Sequence, residues 1–200
     1  MTAPLLRLAL AAALLAPLPA AAQIKGSPGY EFLQAVRDDK GEDVDKILAK
    51  PGTRIIDTQD PTSGEGALHI VAKRNDSRYT AYLLAKGANP NLKDRAGNTP
   101  LLIAIDRGFS GLVPLFLAGK ANPNLAGEGG QTPLIKAVLR RDADMVRALL
   151  GAGGDPDRKD YQAGKSARDY AGEDTRDTSM ARLFADVPVK TRRAVSGPTL

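Results

Sequence analysis

A five-residue phrase returns at a fixed interval along this chain, and the interval limits what the chain can fold into. Gly97-Asn98-Thr99-Pro100-Leu101 recurs 33 residues later as Gly130-Gln131-Thr132-Pro133-Leu134, and a degraded copy, Gly64-Glu65-Gly66-Ala67-Leu68, lies 33 residues earlier. A second phrase keeps the same step: Gly87-Ala88-Asn89-Pro90-Asn91, then Lys120-Ala121-Asn122-Pro123-Asn124, then Gly153-Gly154-Asp155-Pro156-Asp157. Two independent registers at one period mark a repeat protein, in which each unit buries its apolar face only by stacking on its neighbours.

Within a unit, Thr99 and Thr132 are placed to cap a helix, and Pro100 and Pro133 fall at its first position, where a missing N–H is harmless. Leu101, Ile103, Ala104 and Ile105 supply the apolar side, and Gly108 ends the helix in a left-handed conformation. A second helix follows, with Ser110 or Asp142 as cap. Its apolar positions are Leu112, Val113, Leu115, Phe116 and Leu117, matched one unit later by Met145, Val146, Leu149 and Leu150. Gly87, Gly119 and either Gly151 or Gly153 then stop that helix and release the chain into the Asn-Pro-Asn or Asp-Pro-Asp turn. With no Trp and 42% apolar residues, the core must be built from Leu, Ala, Val and Ile, which suits thin helical layers.

The phrase around Thr-Pro-Leu, its period and the paired helices resemble the ankyrin repeat. The resemblance runs from about residue 29 to 187 and implies an all-α fold, an ankyrin-repeat solenoid of about five helix-turn-helix units with short hairpin-like turns. The expected divisions are a signal peptide over 1–22, a linker over 23–28, an N-terminal cap over 29–60 and repeats over 61–93, 94–126 and 127–159. A C-terminal cap over 160–187 and a basic, disordered tail over 188–200 complete the chain. Three departures from the pattern stand out. Gly66-Ala67 replaces Thr-Pro, so the second unit starts with less capping. Asn75 and Arg141 occupy the helix-ending glycine positions. Pro114 sits early in a second helix, about the fourth position after Ser110, where a local distortion is expected.

The start of the chain reads as an export signal. Arg7 is followed by a Leu/Ala run over residues 8–16, then Pro17, Pro19 and the small residues Ala20-Ala21-Ala22 before Gln23. The apolar run is shorter than the roughly 20 residues a spanning helix needs, so cleavage near Ala22-Gln23 and no membrane span are expected. The expected location is the periplasm or the exterior of a bacterium. The chain has no Cys, which rules out a disulfide, an acylated lipoprotein cysteine and thiolate chemistry. Loss of Arg7 with the signal would lower the formal charge from +5 to +4. In an exported chain that mild excess points to acidic protein surfaces rather than nucleic acid.

His69 is the sole histidine and the one candidate for catalysis, but no Gly-x-Ser-x-Gly elbow and no second His accompany it. One His without Cys also lacks zinc's usual ligand set. Asn89, Asn91, Asn122, Asn124, Asp155 and Asp157 occupy turns where short polar residues serve geometry, and Gly164-Lys165-Ser166 lacks the earlier glycine of a phosphate loop. No cofactor and no metal are expected. The resemblance implies a structural role for His69 between neighbouring turns, beside Thr99, Pro100, Thr132 and Pro133.

The same resemblance implies a concave wall of hairpin tips and first helices that contacts a protein partner. By register the contact positions are Lys73, Arg74, Arg95, Asn98, Asp106, Arg107, Gln131, Leu139, Arg140 and Lys165. Thr62, Ser63, Glu65, Ala96, Glu128 and Gln162 lie beside them. Six of these residues are Lys or Arg and three are Asp or Glu, so the expectation is a monomer whose basic groove receives an acidic partner surface. Reversing the charge of Arg74, Arg107 and Arg140 should then abolish capture without altering thermal stability. Two other readings stay open: a secreted effector or immunity-type protein, and an enzyme using His69.

Overall fold

The computed structural model describes residues 26–50, 55–173 and 178–188. The expected signal peptide, residues 23–25 and the tail from residue 189 lie outside the described residues. Among those described, ten α-helices follow one another: α1 (Pro28–Arg37), α2 (Gly41–Leu48), α3 (Ala67–Lys73), α4 (Ser77–Ala85), α5 (Pro100–Asp106), α6 (Leu112–Ala118), α7 (Pro133–Leu139), α8 (Ala143–Gly151), α9 (Ala167–Glu173) and α10 (Ser179–Arg182). No strand occurs among the described residues, and an isolated antiparallel bridge, Gln59 with Gly66, closes the first hairpin-like turn.

The helix starts follow from side-chain capping. Thr99 Oγ1 accepts the Leu102 N–H at 3.3 Å and Thr132 Oγ1 accepts the Ile135 N–H at 3.2 Å, with Pro100 and Pro133 next in line. Asp76 and Asp142 cap α4 and α8 through the Tyr79 and Met145 N–H groups at 2.8 and 3.0 Å. Ser110 does not cap. The helix α6 starts two residues further on, with Gly111 before it and no side-chain cap. That later start places Pro114 third in α6, among the N–H positions that have no acceptor within a helix, so the proline removes no bond.

In repeats two to four each helix is followed by a residue in the left-handed region. Gly108 supplies it after α5 at φ +74°, while Asn75 and Arg141 take the same conformation at +57° and +58°. After the second helices the left-handed residue is Gly87, Lys120 or Gly153. Gly119 is not that residue, since its φ is −75°, and Gly151 is the last residue of α8. A lysine therefore carries a conformation that costs a non-glycine residue about 1–2 kcal/mol.

The two helices of each unit pack together, and the first helices α1, α3, α5, α7 and α9 stack in one layer, with α4, α6 and α8 stacked behind. Between the layers lies one apolar core, in which Phe32, Leu83, Ile105, Phe116, Ile135 and Leu149 are fully buried. Burial of each such side chain stabilises the fold by about 1.5–3 kcal/mol. Adjacent turns are also tied directly. Asn89, Asn122 and Asp155 each donate a backbone N–H to the side chain of Asp57, Asn91 and Asn124, respectively, at 2.7–2.8 Å. Asn91 and Asn124 return a bond from their amide groups to the Lys120 and Gly153 carbonyls.

The C-terminal unit closes by a different device. Ser166 and Asp169 cap α9 reciprocally, the Asp169 carboxylate accepting from the Ser166 N–H and hydroxyl while Ser166 Oγ accepts the Asp169 N–H. Arg168 then donates to Asp157 Oδ1 at 2.8 Å and to the Phe184 and Val187 carbonyls at 2.9 and 3.0 Å. One guanidinium thus pins the last described segment across the end of the core.

Candidate partner-binding surface

The hairpin tips and the ends of the first helices share one side of the stack. Between repeats two and three they enclose a cleft of about 440 Å³, lined by Ser63, Glu65, Lys73, Asp94, Arg95, Ala96, Asn98, Ile103, Asp106 and Arg107. Five predicted contact residues, Lys73, Arg95, Asn98, Asp106 and Arg107, therefore share one cleft. Gln131, Leu139, Arg140 and Lys165 continue the wall by repeat register in the units that follow. Arg74 stands apart. Its guanidinium turns to the first unit, bonding the Val36 and Arg37 carbonyls at 3.0 and 3.3 Å and the carboxylates of Asp39 and Asp76.

Arg74, Arg107 and Arg140 are successive C-caps of α3, α5 and α7, and each reaches back by one repeat. Arg107 donates to the Lys73 carbonyl at 3.4 Å and Arg140 to the Asp106 carbonyl at 2.9 Å. The acceptors Arg37, Lys73 and Asp106 are the last residues of the preceding first helices. There the carbonyls lack intrahelical partners and the helix dipole is negative. These arginines therefore join one repeat to the next, a stabilising role that the expectation of unchanged thermal stability leaves out.

Several of the lysines at or beside these positions are ion-paired. Lys73 pairs with Glu65, Lys165 with Glu173, and Lys136 with Asp106 at 2.8 Å. Arg95, Arg107 and Arg140 have no carboxylate partner among the described residues and instead bond neutral carbonyls, Arg95 that of Pro61. Their charge is uncancelled by a direct pair.

His69, on α3, is buried at 1% exposure. Its Nδ1 accepts the Gly66 N–H at 3.1 Å, and its Nε2 lies 3.1 Å from the Asn98 carbonyl in the next turn. An acceptor at Nδ1 and a donor at Nε2 define the neutral Nε2–H tautomer. Burial lowers the pKa, outweighing the Asn98 carbonyl, Asp94 and the Leu92 carbonyl, which favour the charged form. The ring satisfies the Gly66 N–H from the third helical position, the reciprocal half of a capping box, while the bond that Thr99 and Thr132 make to the third helical N–H has no side-chain counterpart in this unit. Both nitrogens are committed to backbone. Among the described residues no cluster of three or more His, Cys, Asp or Glu side chains could hold a metal ion, and no helix is long and apolar enough to cross a membrane.

Three residues with structural or surface roles were not singled out from sequence. Lys120 and Arg168 are described above, and the third is Tyr161, 79% exposed at the hairpin tip of the fifth unit. The repeat register could have found it, because Tyr161 stands where Arg95 and Glu128 stand in earlier units. Asp160, buried beside it, accepts the Tyr170 hydroxyl at 2.7 Å. That bond holds the Asp160 carboxyl below its usual range and pushes Tyr170 up to about 12.

A stack of paired helices joined by short turns, with both nitrogens of its histidine engaged by backbone, has the architecture of a repeat interaction module. The family model described as ankyrin repeats (3 copies) matches residues 32–126 and again 68–160, and the chain belongs to the ankyrin-repeat family. Ankyrin repeats mediate protein–protein interaction and are typically non-enzymatic. The nuclear factor NF-kappa-B p110 subunit of Drosophila melanogaster is 48% identical over 42 residues, a stretch that is 21% of this chain and 4% of that protein. This similarity is confined to a small part of the relative.

Proposed function

We propose that the chain is an exported bacterial ankyrin-repeat protein that binds an acidic surface of an envelope or extracellular protein, as a monomer, through its concave wall. The observation that carries the reading is the set of three guanidiniums, Arg95, Arg107 and Arg140, held by neutral carbonyls along that wall. Planar, prepositioned donors of this kind suit carboxylates. Export is supported by Arg7, the Leu/Ala run over 8–16 and the small residues before Gln23.

Photo-crosslinking residues placed at Arg95 and Asn98 on the wall, and at the exposed Arg78 of α4 as a control, test the binding reading in the native cell. Crosslinks to one protein from the wall positions but not from Arg78 are expected. Equal crosslinking from all three, or none from the wall, overturns it. Cell fractionation with N-terminal sequencing tests export: the mature protein should start near Gln23 outside the cytoplasm, and an intact Met1 in the cytosol refutes it.

A further inference from the structure

Leu139 and Tyr161 are the large apolar side chains left exposed among the described residues, at 50% and 79%. They are not scattered. Leu139 ends α7 at the register position of Lys73 and Asp106, and Tyr161 holds that of Arg95. Since Lys73, Asp106 and Arg95 all line the cleft between repeats two and three, the 33-residue period carries Leu139 and Tyr161 onto the same wall, toward the C-terminal end. Toward its C-terminal end this wall thus carries two exposed apolar side chains beside the charged Arg140 and Lys165.

Tyr161 is also held in place. Its backbone N–H bonds the Gly129 carbonyl at 2.8 Å, and its ring packs so closely on Gly130 that a Cβ there would lie 2.8 Å from the ring carbons. Gly130 has φ +78°, a second reason for glycine at that position. An exposed aromatic ring whose placement is already fixed loses little conformational freedom when it binds, and buried Tyr side chains are enriched among the residues that dominate interface energies.

The geometry points to a two-part partner segment: a bulky apolar side chain seated against Leu139 and Tyr161, with acidic residues running toward Arg140, Arg107 and Arg95. This rests on the proposed concave-face reading and adds to it the chemistry of the occupant. Arg140 adjoins Leu139 in sequence and bonds a neutral carbonyl, so positive charge borders the apolar step directly.

The test uses the purified mature chain to select from a phage-displayed library of random peptides, followed by fluorescence anisotropy on the selected peptides made synthetically. Enrichment of peptides combining Leu, Ile, Phe or Trp with Asp or Glu is expected. Tyr161→Ala and Leu139→Ala should each raise Kd roughly tenfold or more, Tyr161→Phe should stay within about threefold, and Arg78→Ala should change nothing. Melting curves of each variant separate lost binding from lost fold. Peptides lacking either component, or binding indifferent to Tyr161→Ala and Leu139→Ala, overturn the inference. If Arg95→Glu still weakens such peptides, the concave-face reading survives and only the apolar anchor falls. If Arg95→Glu is also without effect, or no peptide is enriched, both fall.

Discussion

Replacing His69 with Ala removes a side chain that serves two turns at once. The Gly66 N–H and the Asn98 carbonyl lose their partners, and an unsatisfied buried group costs about 1–3 kcal/mol. Asn98 is half-buried and can recruit water, so the low end of that range applies to its carbonyl and the expected loss totals about 3 kcal/mol. For a domain of this size, 1 kcal/mol shifts the melting temperature by about 2–4 °C, so a fall of roughly 6–12 °C is expected by differential scanning calorimetry. The histidine also sets a pH dependence. Its folded pKa lies below the ordinary value of about 6.5, so as pH falls through 6.5 the unfolded chain takes up a proton before the folded one does. The His69 contribution is therefore complete above about pH 6.5 and declines below it toward the folded pKa, by at most about 1.4 kcal/mol per pH unit. His69→Ala should lack that slope. Because the chain has one histidine, nitrogen NMR of the wild type reports its tautomer without assignment ambiguity. An Nδ1–H tautomer, a charged ring at neutral pH, or a melting loss under about 2 °C would refute the reasoning.

Other substitutions probe the bonds between repeats. Arg140→Ala should cost about 1 kcal/mol, since it frees the Asp106 carbonyl at a solvent-exposed helix end, and denaturant titration measures it. Lys120→Gly should stabilise by about 1 kcal/mol: relief of the left-handed strain at φ +66° exceeds the added entropy of the unfolded chain, and a lower melting temperature would contradict this. Thr132→Ala should cost about 1 kcal/mol through the lost cap on the Ile135 N–H, visible as faster hydrogen exchange at the start of α7.

Much of the solenoid was legible because its rules are local and periodic. Thr-Pro at 99–100 and 132–133, Asp142 before α8 and the apolar spacing of α5 to α8 each specify a helix start or a buried face within a few residues. What escaped was decided between repeats or by competition among neighbours. Ser110 looked like a cap, yet the chain enters α6 only after Gly111. Gly119 looked like the stop, yet the register of the turn hands the left-handed position to Lys120. The arginines at 74, 107 and 140 read as surface charge, since nothing in a sequence tells that a guanidinium folds back to a carbonyl one repeat away. The sequence also counted Lys73 and Lys165 as groove charge, and only the structure pairs them with Glu65 and Glu173.

The ties between neighbouring units differ in how much they demand of their partners. Arg107 and Arg140 grip carbonyl oxygens, and His69 reaches another, groups present at that position whatever the side chain. The Lys136–Asp106 pair, by contrast, needs a carboxylate, and one unit earlier the matching residue is Lys73. Excising residues 94–126 would thus offer Arg140 the Lys73 carbonyl and Asp155 the Asn91 side chain, while setting Lys136 against a like charge. Lineages of this chain could gain or lose whole units with the scaffold intact, and the charged side chains would register each event.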